Sequence, residues 1–402
     1  MPIVKKFLVM LVLLLLLYGV FLSQFELNIV KPSLSRVHPE GFYDYSGVLN
    51  IHSEKSTGSG SYQEIALAAQ QSGLDFIFIS DLNNTSIDKS EEKYYDHLLV
   101  LIDAEFSYLD SRVLFYGKSN YADFSSIGQA QAMIADRLSG SSTNNSENDL
   151  MILAHPFKRG HSWQGEVPLG FDGIEVLNLK SVWQNVWQNN KLSFFWSMFV
   201  YPFNPELALL RMFPFPNKEL QLWDRLNKKR KTFGFAGADA EAKLKFPRNL
   251  ELPSYKTLFN IVRTHVLLSS ELTGDFHRDA NKIKHALKMG HFYISLDKLA
   301  SPVGFNALIS KTKSQGFMMG DEIQWQEHLK LNITFTQKPL YPIDVMIFKD
   351  GAKILSSDSL NTSYSILEPG VYRVVVRTIP TFPLPDGKKW VPWIITNPFF
   401  IN

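Results

Sequence analysis

Apolar and polar positions follow three successive patterns along this chain. An almost unbroken apolar run from Phe7 to Leu22 carries no charge and follows Lys5 and Lys6. It approaches the ~20 residues that span a bilayer, with Ile3–Val4 and the stretch to Phe25 able to extend it. From Phe42, short apolar runs alternate with helix-period segments, which predicts an α/β domain with parallel strands. Ser61 with Glu64 makes a capping-box pair that starts a helix through Ile65, Ala68 and Ala69, and Gly73 supplies its stop. Phe76–Ile79 reads as a buried strand, and similar runs recur at Leu98–Ile102, Met151–Ala154, Ile174–Leu177 and Thr232–Ala236. Asp279–Gly290 carries Ile283, Ala286 and Leu287 on one face and reads as the last helix of this domain. After about residue 300 only strands and turns remain, as in Leu329–Phe335, Asp344–Lys349 with the turn Asp350-Gly351, and Val371–Arg377.

These patterns divide the chain into an N-terminal membrane anchor or signal peptide at 1–25 and a tether at 26–41. The α/β domain follows at 42–300 with an insertion at 180–232, and a small C-terminal β domain occupies 301–402. No small-x-small cleavage site follows Leu22, which favours an uncleaved anchor over a signal peptide. Lys5 and Lys6 then stay in the cytoplasm, so the expected location is a single-pass membrane protein whose globular part is periplasmic or extracellular.

Composition narrows the function classes. The chain has 402 residues and no cysteine, which excludes disulfides, thiolate metal sites and a Cys nucleophile. Its 41 Lys+Arg against 39 Asp+Glu argue against a nucleic-acid binder. That near-neutrality hides one uneven segment, Lys180–Thr232, with nine Lys/Arg against three Asp/Glu. The same segment holds Trp183, Trp187, Phe194, Phe195, Trp196, Phe199 and Tyr201. Two readings of it stand side by side: an interfacial patch lying on anionic lipid, or a lid of helices that buries these rings on the domain.

The chemistry sits at the ends of the strands. His52 follows Val48–Ile51, Asp81 follows Phe76–Ser80, His155 follows Met151–Ala154, and Asp239 follows Phe233–Ala238. Glu105 closes the run Leu99–Ala104, and Glu175 lies within the next strand. In a barrel of parallel strands all carboxyl ends open on one face, so such residues converge. Histidine nitrogen with carboxylate oxygen, and no sulfur, suits Zn, Mn or Fe as a divalent ion.

At these residues the chain resembles the polymerase and histidinol-phosphatase (PHP) family of metal-dependent hydrolases, in particular its CehA/McbA-like branch. The resemblance runs over about residues 42–402 through Gly47-Val-Leu-Asn-Ile-His52-Ser, Gly73-Leu-Asp-Phe-Ile-Phe-Ile-Ser-Asp81, Ala104-Glu105, Ala154-His155-Pro156, Gly173-Ile-Glu175-Val-Leu-Asn178 and Gly237-Ala-Asp239-Ala. It also takes in Pro369-Gly-Val-Tyr-Arg373-Val and Trp393-Ile-Ile-Thr-Asn397-Pro398 near the end. It implies a distorted (β/α)7 barrel, with the small β domain and N-terminal helix appended, that carries a metal cluster used mostly for phosphoester hydrolysis.

Four positions depart from the family pattern. Asn50-Ile51-His52 stands for His-x-His, Ser56-Thr57-Gly58 for Ser-Asp-Gly, Ser80-Asp81-Leu82 for Thr-Asp-His, and Asp239-Ala240-Glu241 for Asp-x-His. The implied ligand set is therefore His52, Asp81, Glu105, His155 and Asp239 with Glu241, for one or two ions. Glu105 is the expected bridge, and Glu105, His155 and His161 are the expected catalytic groups. Lys158 and Arg159 are placed to hold an anionic small molecule or phosphoester. The function expected is a membrane-anchored metal-dependent phosphoesterase acting outside the cytoplasm. Two alternatives remain: a catalytically inactive barrel serving as a binding or scaffold protein at the cell envelope, and hydrolysis of a non-phosphate ester.

Overall fold

The computed structural model describes residues 2–27, 29, 41–85, 87–117, 124–140, 149–242, 244–246, 250–311 and 316–402. Most of the tether expected at 26–41 lies outside the described residues. Helix α1 (Pro2–Ser23) is long and apolar enough to cross a membrane over Ile3–Ser23.

The body is a mixed α/β fold built on one large sheet. Its first strands are β1 (Tyr43–Ile51), β2 (Phe76–Leu82), β3 (Lys93–Tyr95), β4 (Leu98–Tyr108), β5 (Ser111–Tyr116), β6 (Leu150–Leu153), β7 (Gly173–Asn178) and β8 (Phe233–Gly237). β1, β2 and β4 run parallel to one another, as do β6, β7 and β8. Between the two sets β5 is antiparallel to both neighbours. A fully parallel order was expected, and the reversal has a local cause. Only Leu109 and Asp110 separate β4 from β5, with Leu109 at φ +51°, and a two-residue loop can only fold a hairpin.

The sheet curls until its last strand meets its first. The Ala238 amide donates to the Leu49 carbonyl at 3.0 Å, Ala240 to Asn50 at 3.1 Å, and His52 to Ala240 at 2.9 Å. Alternate side chains enter different cores, as the two-residue period of a strand requires. Phe76 and Phe78 of β2 join Leu49, Leu101, Leu114, Ile152 and Phe235 in one buried cluster. Ile77 and Ile79 face the other core, shared with α2 (Tyr62–Gln71), which begins on the expected Ser61/Glu64 capping box. α3 (Ile127–Leu138) connects β5 to β6, and the 180–232 region folds as α4 (Leu179–Asn189), α5 (Lys191–Val200), α6 (Pro205–Leu210) and α7 (Asn217–Asn227) between β7 and β8.

Beyond a small hairpin, β9 (Leu244–Phe246) with β10 (Leu250–Leu252), come α8 (Tyr255–Phe259), β11 (Arg263–Leu268), α9 (Phe276–Met289) and β12 (Phe292–Ser295). β11 pairs with β1, and β12 with β11. The strands after residue 301 are β13 (Phe305–Ser310), β14 (Gly316–Phe317), β15 (Glu322–Ile323), β16 (Lys330–Phe335), β17 (Ile343–Lys349), β18 (Ala352–Ser357), β19 (Asn361–Ser365), β20 (Gly370–Thr378), β21 (Val391–Thr396) and β22 (Phe399–Ile401). β13, β14, β16 and β19 form a separate four-stranded sheet, while β21 pairs with β12 and so carries β20 and β22 into the main sheet.

α1 is held against the body at its C-terminal end. Asn204, the N-cap of α6, donates its amide to the carbonyls of Leu22 and Phe25 at 3.0 and 2.9 Å. The Tyr18 hydroxyl donates to the Leu384 carbonyl at 2.7 Å, and its ring packs beside Trp196. A Cβ on Gly19 would fall 2.3 Å from the Phe203 ring, so this close approach needs glycine.

Candidate metal centre

The curled sheet brings His52, Glu105, His155, Asp239 and Glu241 together, all of them buried. His52 leaves the end of β1, and Glu105 projects from the middle of β4. His155 and Asp239 each lie two residues beyond their strands, with φ +30° and +46°. Such left-handed backbone is costly for these residue types and persists where surrounding structure holds it, commonly at functional sites.

The spacing of these groups is informative. His52 Nε2 lies 3.6 Å from Glu105 Oε2 and 3.7 Å from Asp239 Oδ1, while His155 Nε2 lies 3.6 Å from Glu105 Oε1. These gaps are too long for hydrogen bonds. They approach the roughly 3.3–3.6 Å that separates two ligand atoms sitting about 2.0–2.2 Å from one tetrahedral ion. Glu105 Oε1 is buried and has no hydrogen-bond partner among the described residues, and the Nδ1 atoms of His52 and His155 share that condition. One ligand atom from each of His52, Asp239 and Glu241 falls within a 4.8 Å group. The donor set thus fits a divalent ion at His52, Asp239 and Glu241, with a Glu105 oxygen 3.6 Å from the His52 ring.

Asp81 is placed differently. Its carboxylate accepts from the Ser53 amide at 2.7 Å, the Ser53 and Ser56 hydroxyls at 2.6 Å each, and the Tyr62 hydroxyl at 3.4 Å. It is absorbed in holding the turn that follows His52, and it is not among the residues of the 4.8 Å group. Glu175 is also occupied, accepting from Asn50 Nδ2, Asn178 Nδ2 and the His155 amide at 2.8–2.9 Å. Its carboxylate passes so close to Gly237 that a Cβ there would lie 1.7 Å from Oε1. Asn50, at φ +60°, therefore serves as a donor to Glu175.

Two lysines complete the centre. Lys158, buried, places Nζ 2.5 Å from Asp239 Oδ2, in a turn closed by its own amide on the His155 carbonyl at 2.9 Å. Lys180 pairs with Glu241 and lies 3.4 Å from Asp239 Oδ1, and the Thr57 hydroxyl donates to Glu241 at 3.0 Å. Sequence reasoning missed Lys180, since a lysine at the start of an aromatic helix reads as surface. Arg159 is exposed nearby, and the His161 ring centre stands 6.1 Å from that of His155.

Charges in this volume are strongly coupled. Burial lowers His155 to about 4, helped by Lys158, and burial with Arg112 and Lys158 takes His161 to about 4. Both imidazoles are neutral at pH 7, the state in which a histidine nitrogen ligates metal or accepts a proton. Burial pushes the Glu105 carboxyl up, an effect that nearby His52 opposes. Burial acts the same way on Asp239, yet Lys158 and Lys180 hold it well below the usual carboxylate range. A cavity of about 270 Å³ opens beside His155 and Lys158 and runs between α4 and the segment 213–219.

No family model matches the chain, and no curated protein matches it. Among solved structures it is similar to a two-domain protein of Bacteroides vulgatus containing a predicted PHP-like metal-dependent phosphoesterase, at 13% identity and a TM-score of 0.38, covering 92% of this chain and 98% of that one. It is also similar to a putative metal-dependent phosphoesterase of Bifidobacterium adolescentis, at 14% identity and a TM-score of 0.28, covering 51% of this chain and 92% of that one. At these scores the likeness is one of distant shape.

Proposed function

We propose that this chain is a PHP-like metal-dependent phosphoesterase in which the curled sheet is the distorted barrel, and that α1 anchors it in a membrane with the body outside the cytoplasm. The observation that carries the reading is the set of three 3.6–3.7 Å gaps linking His52, His155, Glu105 and Asp239, with one Glu105 oxygen buried and unpartnered among the described residues. An uncompensated buried carboxylate is expensive, and a cation removes the cost. The set takes one divalent ion, because Lys158 already holds the second oxygen of Asp239 and Leu82, Asn50 and Thr57 stand at changed ligand positions.

A bound ion of this kind polarises a phosphoryl oxygen and lowers the pKa of a coordinated water. The remaining steps belong to the chain's own side chains. Lys158 and Arg159, on the cavity wall, attract the phosphate and hold it against His155. His161, whose ring centre stands 6.1 Å from that of His155, is neutral at pH 7 and available to accept a proton. Anchoring is supported by the apolar helix and by Lys5 and Lys6 ahead of its apolar run.

One observation favours a second reading, an inactive binding protein: Lys158 and Lys180 can balance Asp239 and Glu241 without an ion. Element analysis of the full chain in detergent separates the two. The phosphoesterase reading expects about one equivalent of Mn, Zn or Fe, lost in His52→Ala together with hydrolysis of bis(p-nitrophenyl) phosphate. Metal-free protein whose melting ignores EDTA would establish the inactive reading.

A further inference from the structure

Beside the centre lies a cavity whose two walls differ in chemistry. On one side α4 turns Ser181, Gln184, Asn185 and Gln188 toward it, at the i, i+3, i+4 and i+7 spacing of a single helix face. All four are neutral hydrogen-bonding side chains. Gln184 Oε1 is buried and has no donor among the described residues. The opposite wall presents Phe213, Pro214, Phe215 and Pro216 and ends in the polar Asn217, Lys218 and Glu219. Cationic groups gather at the inner end, where Lys158 and Arg159 meet His155.

Resting on the phosphoesterase reading above, we infer that this cavity selects the alcohol part of the substrate, and that the substrate is a phosphorylated sugar or similar ring polyol. A ring bearing several hydroxyls gives donors and acceptors to the amide wall while its C–H face lies on the proline and phenylalanine wall, and its phosphate reaches Lys158. An alkyl phosphate of the same size would bury the Gln184 carbonyl oxygen and its neighbours without partners, which costs more than the apolar contact returns. A site built to hydrogen-bond hydroxyls rejects the analogue that lacks them, so the preference is legible in binding alone.

Calorimetric titration of the full chain in detergent with glucose 1-phosphate, galactose 1-phosphate, cyclohexyl phosphate and inorganic phosphate tests this. At least one hexose phosphate is expected to bind about tenfold or more tighter than cyclohexyl phosphate. Gln184→Leu, and separately Gln188→Leu at an exposed position that folding tolerates, should erase that preference and leave inorganic phosphate binding unchanged. Cyclohexyl phosphate binding as tightly as both hexose phosphates, or a preference that survives both variants, overturns the inference while leaving the phosphoesterase reading intact. Failure of all four to bind overturns both.

Discussion

Two buried histidine–carboxylate groups in this protein share a composition and differ in spacing. In the first, His265 of β11 sits between two aspartates, with Nδ1 2.7 Å from Asp44 and Nε2 3.0 Å from Asp297. Its ring stacks on Tyr293 at 4.9 Å, and the Tyr293 hydroxyl donates to Asp44 at 2.5 Å. In the second, around Glu105, the imidazole nitrogens of His52 and His155 stand 3.6–3.7 Å from the facing oxygens of Glu105 and Asp239. The first group is closed: each ring nitrogen has its partner, and burial is compensated internally. In the second, Glu105 Oε1 and the Nδ1 atoms of His52 and His155 lack partners among the described residues, and a cation beside Glu105 would relieve the first of these. Burial and residue type are the same in the two groups; what differs is the gap between imidazole and carboxylate.

The sharpest way to break this comparison is to remove Glu105. Glu105→Gln should weaken metal binding by more than the roughly 10–100-fold typical of changes outside the ligand shell, read by equilibrium dialysis with Mn²⁺ or Zn²⁺. Metal content equal to wild type would end the site assignment. Next in size is the closed triad, where His265→Ala removes the cation that faces buried Asp44 and half-buried Asp297. A loss of about 3–5 kcal/mol in denaturant unfolding is expected, with metal content unchanged per folded chain.

Gly237→Ala should cost about 1–3 kcal/mol through overpacking against Glu175, and should loosen the His155 turn that Glu175 holds. Chelation then separates the two groups: EDTA should lower the melting temperature of wild type and leave that of Glu105→Gln unmoved.

A pH dependence follows from the same closed triad. Burial alone would depress His265, but Asp44 and Asp297 carry its pKa up to about 10, against about 6.5 in an unfolded chain. A raised folded pKa gives stabilisation that is complete below about 6.5 and is lost as pH rises through about 10. Melting temperature should therefore decline across that window in wild type and run flatter in His265→Gln. Equal slopes would remove the charged triad from the account.

Much of the framework was legible because local chemistry specifies it. The Ser61/Glu64 box starts α2, Gly290 caps α9 at φ +77°, and the apolar runs mark β2, β4, β6, β7 and β8. β5 escaped because it follows β4 after two residues and reads as the tail of one apolar stretch. The site was legible in part. His52, His155 and Asp239 carry ligand chemistry just beyond strand ends, a pattern visible without coordinates, whereas Glu105 lies within β4, which runs on to Tyr108. The hydrogen bonds that occupy Asp81 were not, since Ser53 and Ser56 lie 28 and 25 residues away and only the β1–β2 pairing brings them together. Lys158 and Lys180 were hidden for a related reason. Whether a lysine is solvated or pinned to a buried carboxylate depends on which strand curls beside it, and β8 delivers Asp239 only because the sheet closes on β1.

The grip of Asn204 on the last carbonyls of α1 has a mechanical meaning. A body hung from a bilayer by a loose string tumbles and samples every heading. With Asn204 and Tyr18 fastening the helix end directly to the fold, the joint is a mount, and the opening beside His155 keeps one height and one compass bearing relative to the helix axis. Replacing Asn204 with alanine would then free the swivel while sparing the chemistry. On the proposal that α1 lies in a bilayer, such a protein would patrol a plane instead of a volume, and would meet whatever is presented at that single level.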